Sequence, residues 1–267
     1  MFKKIDYSNI PENVAIIMDG NGRYALSQGL GARYFGHSKG VDALRNIISR
    51  AYELRIKYLT VYAFSTENWE RDEKEIAEIF KLLMKFLKNY EKELAGRSIR
   101  IKPIGDITKL PEDVQKELAN VADKTKNNDK MIFNVALNYG GRDEILRACN
   151  KFLCHCGLDP QSHSESLRGD SGSEAGMTKG GIQKDREASI SRIKSEEELN
   201  EYMDAPEIDN IDLVIRTSGE NRISNFLLWQ SAYAEYYFTS KLWPAFKPKD
   251  LDKAIIEYQR RNRRLGR

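Results

Sequence analysis

Val14-Ala15-Ile16-Ile17-Met18-Asp19-Gly20-Asn21-Gly22-Arg23-Tyr24-Ala25 is the stretch on which the reading of this chain turns. Its first five residues form an unbroken apolar run rich in β-branched types, the composition of a strand buried on both faces in a parallel sheet. The run stops at Asp19-Gly20-Asn21-Gly22-Arg23, where two glycines permit backbone conformations closed to other residues and let a ligand come near. A carboxylate able to hold Mg²⁺ and a guanidinium able to grip a phosphate stand in that loop, at the end of a buried strand. Asp-Gly and Asn-Gly are also common hairpin turns. A hairpin needs a second strand at once, and Tyr24-Ala25-Leu26-Ser27-Gln28-Gly29 shows no alternation of period two.

Working outward, other strands end in the same manner. Ser38 reads as a helix N-cap, followed at helical spacing by Val41, Leu44, Ile47, Ile48, Ala51 and Leu54. Tyr58–Phe64 reads as a second buried strand and runs into the polar Ser65-Thr66-Glu67-Asn68-Trp69-Glu70-Arg71. The spacing then predicts a helix over Glu73–Leu94, whose apolar arc is wider than the roughly 100° that a surface helix needs. That width fits either a deeply packed core helix or a wall shared between the sheet and an apolar tunnel. Ile99–Ile104, Met131–Leu137, Asp212–Ile215 and Glu235–Phe238 read as further strands, the second ending in Asn138-Tyr139-Gly140-Gly141-Arg142 and the third in Arg216-Thr217-Ser218-Gly219.

Strands alternating with helices imply an α/β fold: one largely parallel sheet of about six strands with helices on both faces. In open α/β sheets ligands bind at the carboxyl ends of the strands. Asp19, Ser65, Asn138 and Arg216 are therefore expected on one rim. The 267 residues read as a single domain over 1–267. A net charge of +3 gives no case for nucleic-acid binding, and no apolar run is long enough to span a bilayer. The expectation is a cytoplasmic protein. Cys149, Cys154 and Cys156 imply no disulfide framework. Cys154–Gly181 is rich in Gly and Ser and nearly free of aliphatic residues, so it reads as a disordered insertion. Cys154, His155, Cys156 and His163 lack the paired spacing of a structural zinc site.

Four strings, in order, carry a resemblance: IIMDGNGRYA, FSTENW with Arg71 beyond it, NYGGR, and the run from Arg216 to Phe226. Together they resemble the cis-prenyltransferases, the undecaprenyl diphosphate synthase family, over nearly the whole chain. That resemblance implies Mg²⁺-dependent joining of isopentenyl diphosphate to an allylic diphosphate such as farnesyl diphosphate, an apolar tunnel for the product, and a homodimer. It also implies delivery of the product to a membrane, with peripheral contact at its inner face. Asp19 is implied as the catalytic Mg²⁺ ligand, with Glu235 as a second metal-associated carboxylate and Asn21 and Asn68 as catalytic groups. Gly20, Gly22, Arg23, Tyr24, Arg33 and His37 are implied at the allylic diphosphate. Ser65, Thr66, Glu67, Trp69 and Arg71 belong to a mobile catalytic loop. Arg216, Arg222 and Ser224 are implied at isopentenyl diphosphate, and Arg264 and Gly266 in a C-terminal motif that reaches a partner subunit.

The chain departs from the family pattern in places. Tyr24 stands where Trp is more frequent, Ser218 where Gly is frequent, and Asn221 where some members carry His. One extra residue lies between Gly29 and His37, so Arg33 is aligned from its C-terminal side. Two other readings were weighed. A metal-dependent phosphohydrolase would want more carboxylates near the first loop, and none is there. A non-catalytic subunit of a heteromeric prenyltransferase would lack the carboxylate motif, which is intact. Taken singly, each arginine could be a surface ion-pair partner.

Overall fold

The computed structural model describes residues 4–29, 35–94, 96–155 and 192–261. The chain divides into two compact units, Met1–Glu144 with Glu207–Arg267, and Ile145–Pro206. The first holds a six-stranded sheet in the order β3-β4-β2-β1-β5-β6. Its strands are β1 (Asn13–Ile17), β2 (Tyr58–Ser65), β3 (Ile99–Ile104), β4 (Met131–Tyr139), β5 (Leu213–Arg216) and β6 (Glu235–Phe238). Every pairing is parallel. This is the α/β sheet expected from the sequence, and both of its faces are buried. Val14, Ile16, Leu59, Val61, Phe133 and Ile215 share one core with the helices, while Ala15, Thr60, Asn134 and Val214, on the other face, are as thoroughly covered.

The helices of this unit are α1 (Asn21–Ser27), α2 (Phe35–Glu53), α3 (Glu73–Lys88), α4 (Tyr90–Glu93), α5 (Glu112–Thr125) and α8 (Pro248–Arg260). Helix α2 packs on α3 and α8, and α5 packs on α3 and along β3. The helix after the first loop begins at Phe35, before the expected cap at Ser38. The long helix expected over Glu73–Leu94 is broken at Asn89, whose side-chain amide donates to the Lys85 carbonyl at 2.8 Å. An asparagine that turns back on the preceding turn competes with the helical ladder and ends it.

Helix α6 (Gly141–His155) starts in the first unit and continues into the second, which also holds α7 (Glu196–Asn200). Cys154 and His155 thus belong to a helix and not to the insertion, most of which lies outside the described residues along with Cys156 and His163. Within the second unit Arg147 grips Asp204 through two bonds of 2.6 and 2.7 Å, and Ser195 caps α7 by accepting from the Glu198 amide.

Candidate active site

Asp19, Ser65, Asn138 and Arg216 all lie at the carboxyl end of the sheet: Asp19 just past β1, the others at the ends of β2, β4 and β5. Gly20 follows in a left-handed conformation (φ 104°) that turns the chain straight into α1. The Asp19 carbonyl is fixed by the Thr217 hydroxyl at 2.7 Å and the Trp243 amide at 3.0 Å. Its carboxylate lies between two guanidinium groups. Arg216 Nη2 donates to Oδ2 at 3.1 Å, and Arg23 Nη2 lies 3.5 Å from Oδ1.

Arg216 is buried, and its remaining bonds set the following loop. Its Nη1 donates to Ser224 Oγ at 2.7 Å and to the Arg222 carbonyl, while its buried Nε meets no acceptor among the described residues. Arg23 donates from Nη1 to the Ser218 carbonyl at 3.0 Å and lies 3.4 Å from Glu220. Two guanidinium groups therefore converge on the Asp19 carboxylate, Arg23 being shared with Glu220, and both stand where an anionic ligand could meet them.

A second cluster stands beside the first. His37 on α2 donates from Nε2 to Glu75 on α3 at 3.1 Å, and Arg71 donates to the same carboxylate oxygen at 2.6 Å. Burial pushes the His37 imidazole below its usual range, against the pull of Glu75. Burial acts to raise the Glu75 carboxyl, but its bonds to His37 and Arg71 outweigh that and hold it low. The pair is thus a neutral imidazole on an ionised carboxylate, which makes Nε2 the protonated nitrogen.

Thr66–Glu70 is a single 3₁₀ segment, closed by Asn68 Oδ1 accepting from the Ser65 amide at 3.1 Å. Glu67 accepts from the Asn225 side chain at 3.1 Å. Burial would raise its carboxyl, but its own amide, Asn225 and the Ser65 and Thr66 hydroxyls more than offset this, and it stays low. Trp69 donates its indole N–H to Asn138 Oδ1 at 2.8 Å.

Three cavities meet at this rim. One of about 410 Å³ is lined by Asp19, Gly20, Asn21, Gly22, Arg23 and His37, with Arg71 at its edge. A second of about 470 Å³ is lined by Asp19, Glu67, Asn68, Arg71, Arg216 and Ser224. Asp19 and Arg71 border both. The third, of about 100 Å³, is apolar and shares Met18, Asn21 and His37 with the first, then runs past Leu44, Leu83 and Phe86. Gly40 permits the close approach of α2 there, since a Cβ at that position would lie 2.4 Å from Asn21 Oδ1. That buried oxygen has no donor among the described residues. The first pocket is lined also by Asp72 and Glu75, and each of the two polar pockets has two arginines in its lining, Arg23 and Arg71 in the first and Arg71 and Arg216 in the second; these guanidinium groups suit two phosphorylated ligands, and the greasy recess suits an apolar tail on one of them.

A family model described as "Putative undecaprenyl diphosphate synthase" matches residues 17–266. The chain is 44% identical to an isoprenyl transferase of Fusobacterium nucleatum, over 97% of this chain and 96% of that one. It is 41% identical to an isoprenyl transferase of Clostridium tetani, covering 98% and 92%. The chain belongs to the cis-prenyltransferases. Its fold agrees with that of lavandulyl diphosphate synthase from Lavandula x intermedia, solved in complex with dimethylallyl diphosphate: TM-score 0.80, 32% identity, 97% of this chain and 100% of that one. A probable undecaprenyl diphosphate synthase from Campylobacter jejuni gives a TM-score of 0.71 at 30% identity, with the same coverage.

In this cis-prenyltransferase the expected residues fall into three groups. Asp19, Gly20, Asn21, Gly22, Arg23, His37, Ser65, Glu67, Asn68, Arg71, Arg216 and Ser224 line the two polar pockets. Tyr24, Thr66, Trp69 and Arg222 line neither, and the Arg222 guanidinium turns to Glu220 at 2.6 Å. Glu235 opens β6 opposite Leu213, the first residue of β5, whereas Arg216 is the last. It is therefore at the other end of these strands from the Asp19–Arg216 pair, and it accepts from Arg261 at 2.7 Å. Arg33, Arg264 and Gly266 lie outside the described residues.

Glu75, Asn225, Tyr62 and Trp243 were not anticipated. The spacing of Arg71 and Glu75, four residues apart at a helix start, is a readable ion-pair signal. Tyr62, stacked on Phe226 with ring centroids 4.4 Å apart, has no local signal, because the contact joins positions distant in sequence. Among the described residues no helix is long and apolar enough to cross a membrane.

Proposed function

We propose that this cis-prenyltransferase condenses isopentenyl diphosphate onto farnesyl diphosphate to make a long Z-polyprenyl diphosphate, in most direct reading undecaprenyl diphosphate, the carrier-lipid precursor for cell-wall synthesis. The observation that carries the reading is Asp19, shared by two polar pockets, one of which meets the apolar recess along Met18, Asn21 and His37 and the other at Met18 alone. The pocket at Asn21 and His37 suits the allylic diphosphate, whose tail then enters the recess beneath α3. The pocket at Arg216 and Ser224 suits isopentenyl diphosphate. The recess as described holds only a short stretch of chain, so growth requires α2 and α3 to part along their apolar faces.

Asp19 fits Mg²⁺ of the kind held by one carboxylate and completed by substrate phosphates and water. Among the described residues no group of three or more metal-ligating side chains gathers into a protein cage. When bound, Mg²⁺ neutralises charge that builds on the departing diphosphate. Arg23 binds that diphosphate from the α1 side, and the Arg216 guanidinium holds the second diphosphate at a fixed distance from Asp19. Asn21 Oδ1, buried and without a donor among the described residues, is placed to orient the reacting end or accept a hydrogen bond from it. The loop carrying Glu67, Asn68 and Arg71 covers the second pocket and limits water.

The homodimer, with Arg264 and Gly266 reaching the neighbouring site, and delivery of product at the inner face of a membrane by a cytoplasmic enzyme are part of the same proposal. The test is to supply farnesyl diphosphate and labelled isopentenyl diphosphate with Mg²⁺, and to resolve products by length. Chain elongation that stops on chelation and resumes with Mg²⁺ is expected. Release of inorganic phosphate without carbon–carbon bond formation would overturn the reading.

A further inference from the structure

Asn138 opens the NYGGR string and lines neither polar pocket. The pairing of β2 with β4 slips twice: Tyr62 faces Ala136, Phe64 faces Leu137, and Ser65 faces Tyr139. Ala63 is the extra residue on one strand and Asn138 on the other. Paired bulges of this kind sit beside active sites and re-aim one side chain. Asn138 is buried with φ at 43°, a conformation that asparagine tolerates better than other residues with side chains.

The re-aimed side chain is fully employed. Its Oδ1 accepts from the Trp69 indole at 2.8 Å, and its Nδ2 donates to the Asp106 carbonyl at 2.8 Å. Its backbone carbonyl accepts from the Asp106 amide at 3.3 Å. Gly lacks both side-chain groups, Leu cannot adopt the backbone without strain, and Asp has no donor for the Asp106 carbonyl. The Trp69 ring, meanwhile, rests edge-on against Phe64 at 5.0 Å and against Phe80 at 5.7 Å. Its indole is thus gripped at the polar end by β4 and at the apolar end by β2 and α3. Trp69 lies between Asn68 and Arg71, both of which line the polar pocket.

We propose that Asn138 is a positioning residue: a latch, carried on the β4 bulge, that fixes Trp69 and thereby aims Asn68 and Arg71 into the substrate pocket. The latch itself stands on geometry alone, and only its effect on substrates rests on the function proposed above. With the latch open the 3₁₀ segment loses its tie to β4, and both pocket side chains lose a fixed origin.

The experiment uses Asn138→Gly, which keeps the positive φ and removes both side-chain bonds. Hydrogen exchange at the Trp69 indole is followed by NMR in the full-length protein without substrate, its signal assigned by its loss in Trp69→Phe. Exchange should quicken about tenfold, the worth of one hydrogen bond. The Trp243 indole, which donates to the Gly40 carbonyl at 2.9 Å, is the internal control and should not change. Asn138→Asp retains the acceptor and should restore most of the protection. The KM for isopentenyl diphosphate, the ligand given to the pocket that Asn68 and Arg71 line, should rise about five- to tenfold in Asn138→Gly, with a smaller change in kcat. Combining it with Trp69→Phe should add little to the larger single effect. Unchanged exchange at Trp69 would overturn the proposal. So would equal quickening at both indoles, which marks general loosening, or faster Trp69 exchange with KM and kcat both intact. A wild-type enzyme that fails to elongate farnesyl diphosphate would instead sink the proposed function, and the exchange data would still decide the latch.

Discussion

Glu75 offers the sharpest test of the site, because it joins α2, α3 and the loop before α3 through one carboxylate. It accepts from His37 at 3.1 Å and Arg71 at 2.6 Å. The side chains of His37 and Glu75 are 13% and 18% exposed, so that bond is worth about 1–2 kcal/mol, the range for hydrogen bonds to a charged group with some solvent access. Arg71 is 38% exposed, and solvent reduces its pair to about 0.5 kcal/mol. Glu75→Ala should therefore cost about 2 kcal/mol, or roughly 4–8 °C in Tm for a chain of this size. Glu75→Gln keeps the shape and an acceptor oxygen while withdrawing the charge, and should cost about half as much. The charge has a second, independent reading. Burial already depresses the His37 pKa and Glu75 opposes the depression, so in Glu75→Gln the imidazole should titrate still lower. With three histidines in the chain, NMR titration of the imidazole signals resolves this directly. A His37 pKa that stays put or rises in Glu75→Gln would refute the electrostatic account. A loss of Tm with KM for farnesyl diphosphate unchanged would leave Glu75 as a structural staple with no role in the pocket.

Other outcomes follow from the same geometry. Asp19→Ala should lower kcat by about 10³-fold with a smaller change in KM, and a near-normal kcat in the folded variant would remove this carboxylate from the reaction. Ser218 holds φ at 84° with a buried hydroxyl that finds no partner among the described residues, so Ser218→Gly should stabilise by about 0.5–1 kcal/mol, read as a higher Tm. Since the folded-state pKa of His37 lies below its value of 6.5 in the unfolded chain, its contribution to stability is complete above that pH and declines as pH falls through 6.5 toward the folded value. Urea melts of His37→Gln should therefore lose less stability than the parent between pH 7.5 and pH 5.5, and equal losses would show that another group sets the slope.

What was legible in the sequence was what chain-local physics specifies. Apolar runs ahead of polar, glycine-bearing loops located β1, β2 and β4 within two residues at each end, the composition of strands buried on both faces, and the edge strands β3 and β6, which are only partly buried, were placed at their observed bounds. The rule that ligands gather at strand carboxyl ends then assembled Asp19, Ser65, Asn138 and Arg216 without knowledge of strand order. Helix ends were less legible. Nothing in the apolar stripe of α3 announces the break at Asn89, where one side-chain bond to Lys85 outweighs an otherwise continuous pattern.

The part that sequence could not show is which groups touch across the sheet, and that part decides the chemistry. Arg216 was expected at a substrate phosphate, yet it is also the partner of Asp19 at 3.1 Å, so one buried guanidinium holds the Asp19 carboxylate, Ser224 and the Arg222 carbonyl together. Removing Arg216 would then disturb both pockets, not one. A deficit confined to isopentenyl diphosphate in Arg216→Ala would contradict this, whereas a fall in kcat beside a rise in KM for both substrates is the result the shared guanidinium demands. Glu235 makes the converse point. The resemblance implied a second metal-associated carboxylate there, and the parallel pairing of β5 and β6 sets it within the chain beside Leu213 and not beside Arg216. Its place at the start of a parallel strand, with Asp19 just past the end of another, separates these two carboxylates by the length of a strand.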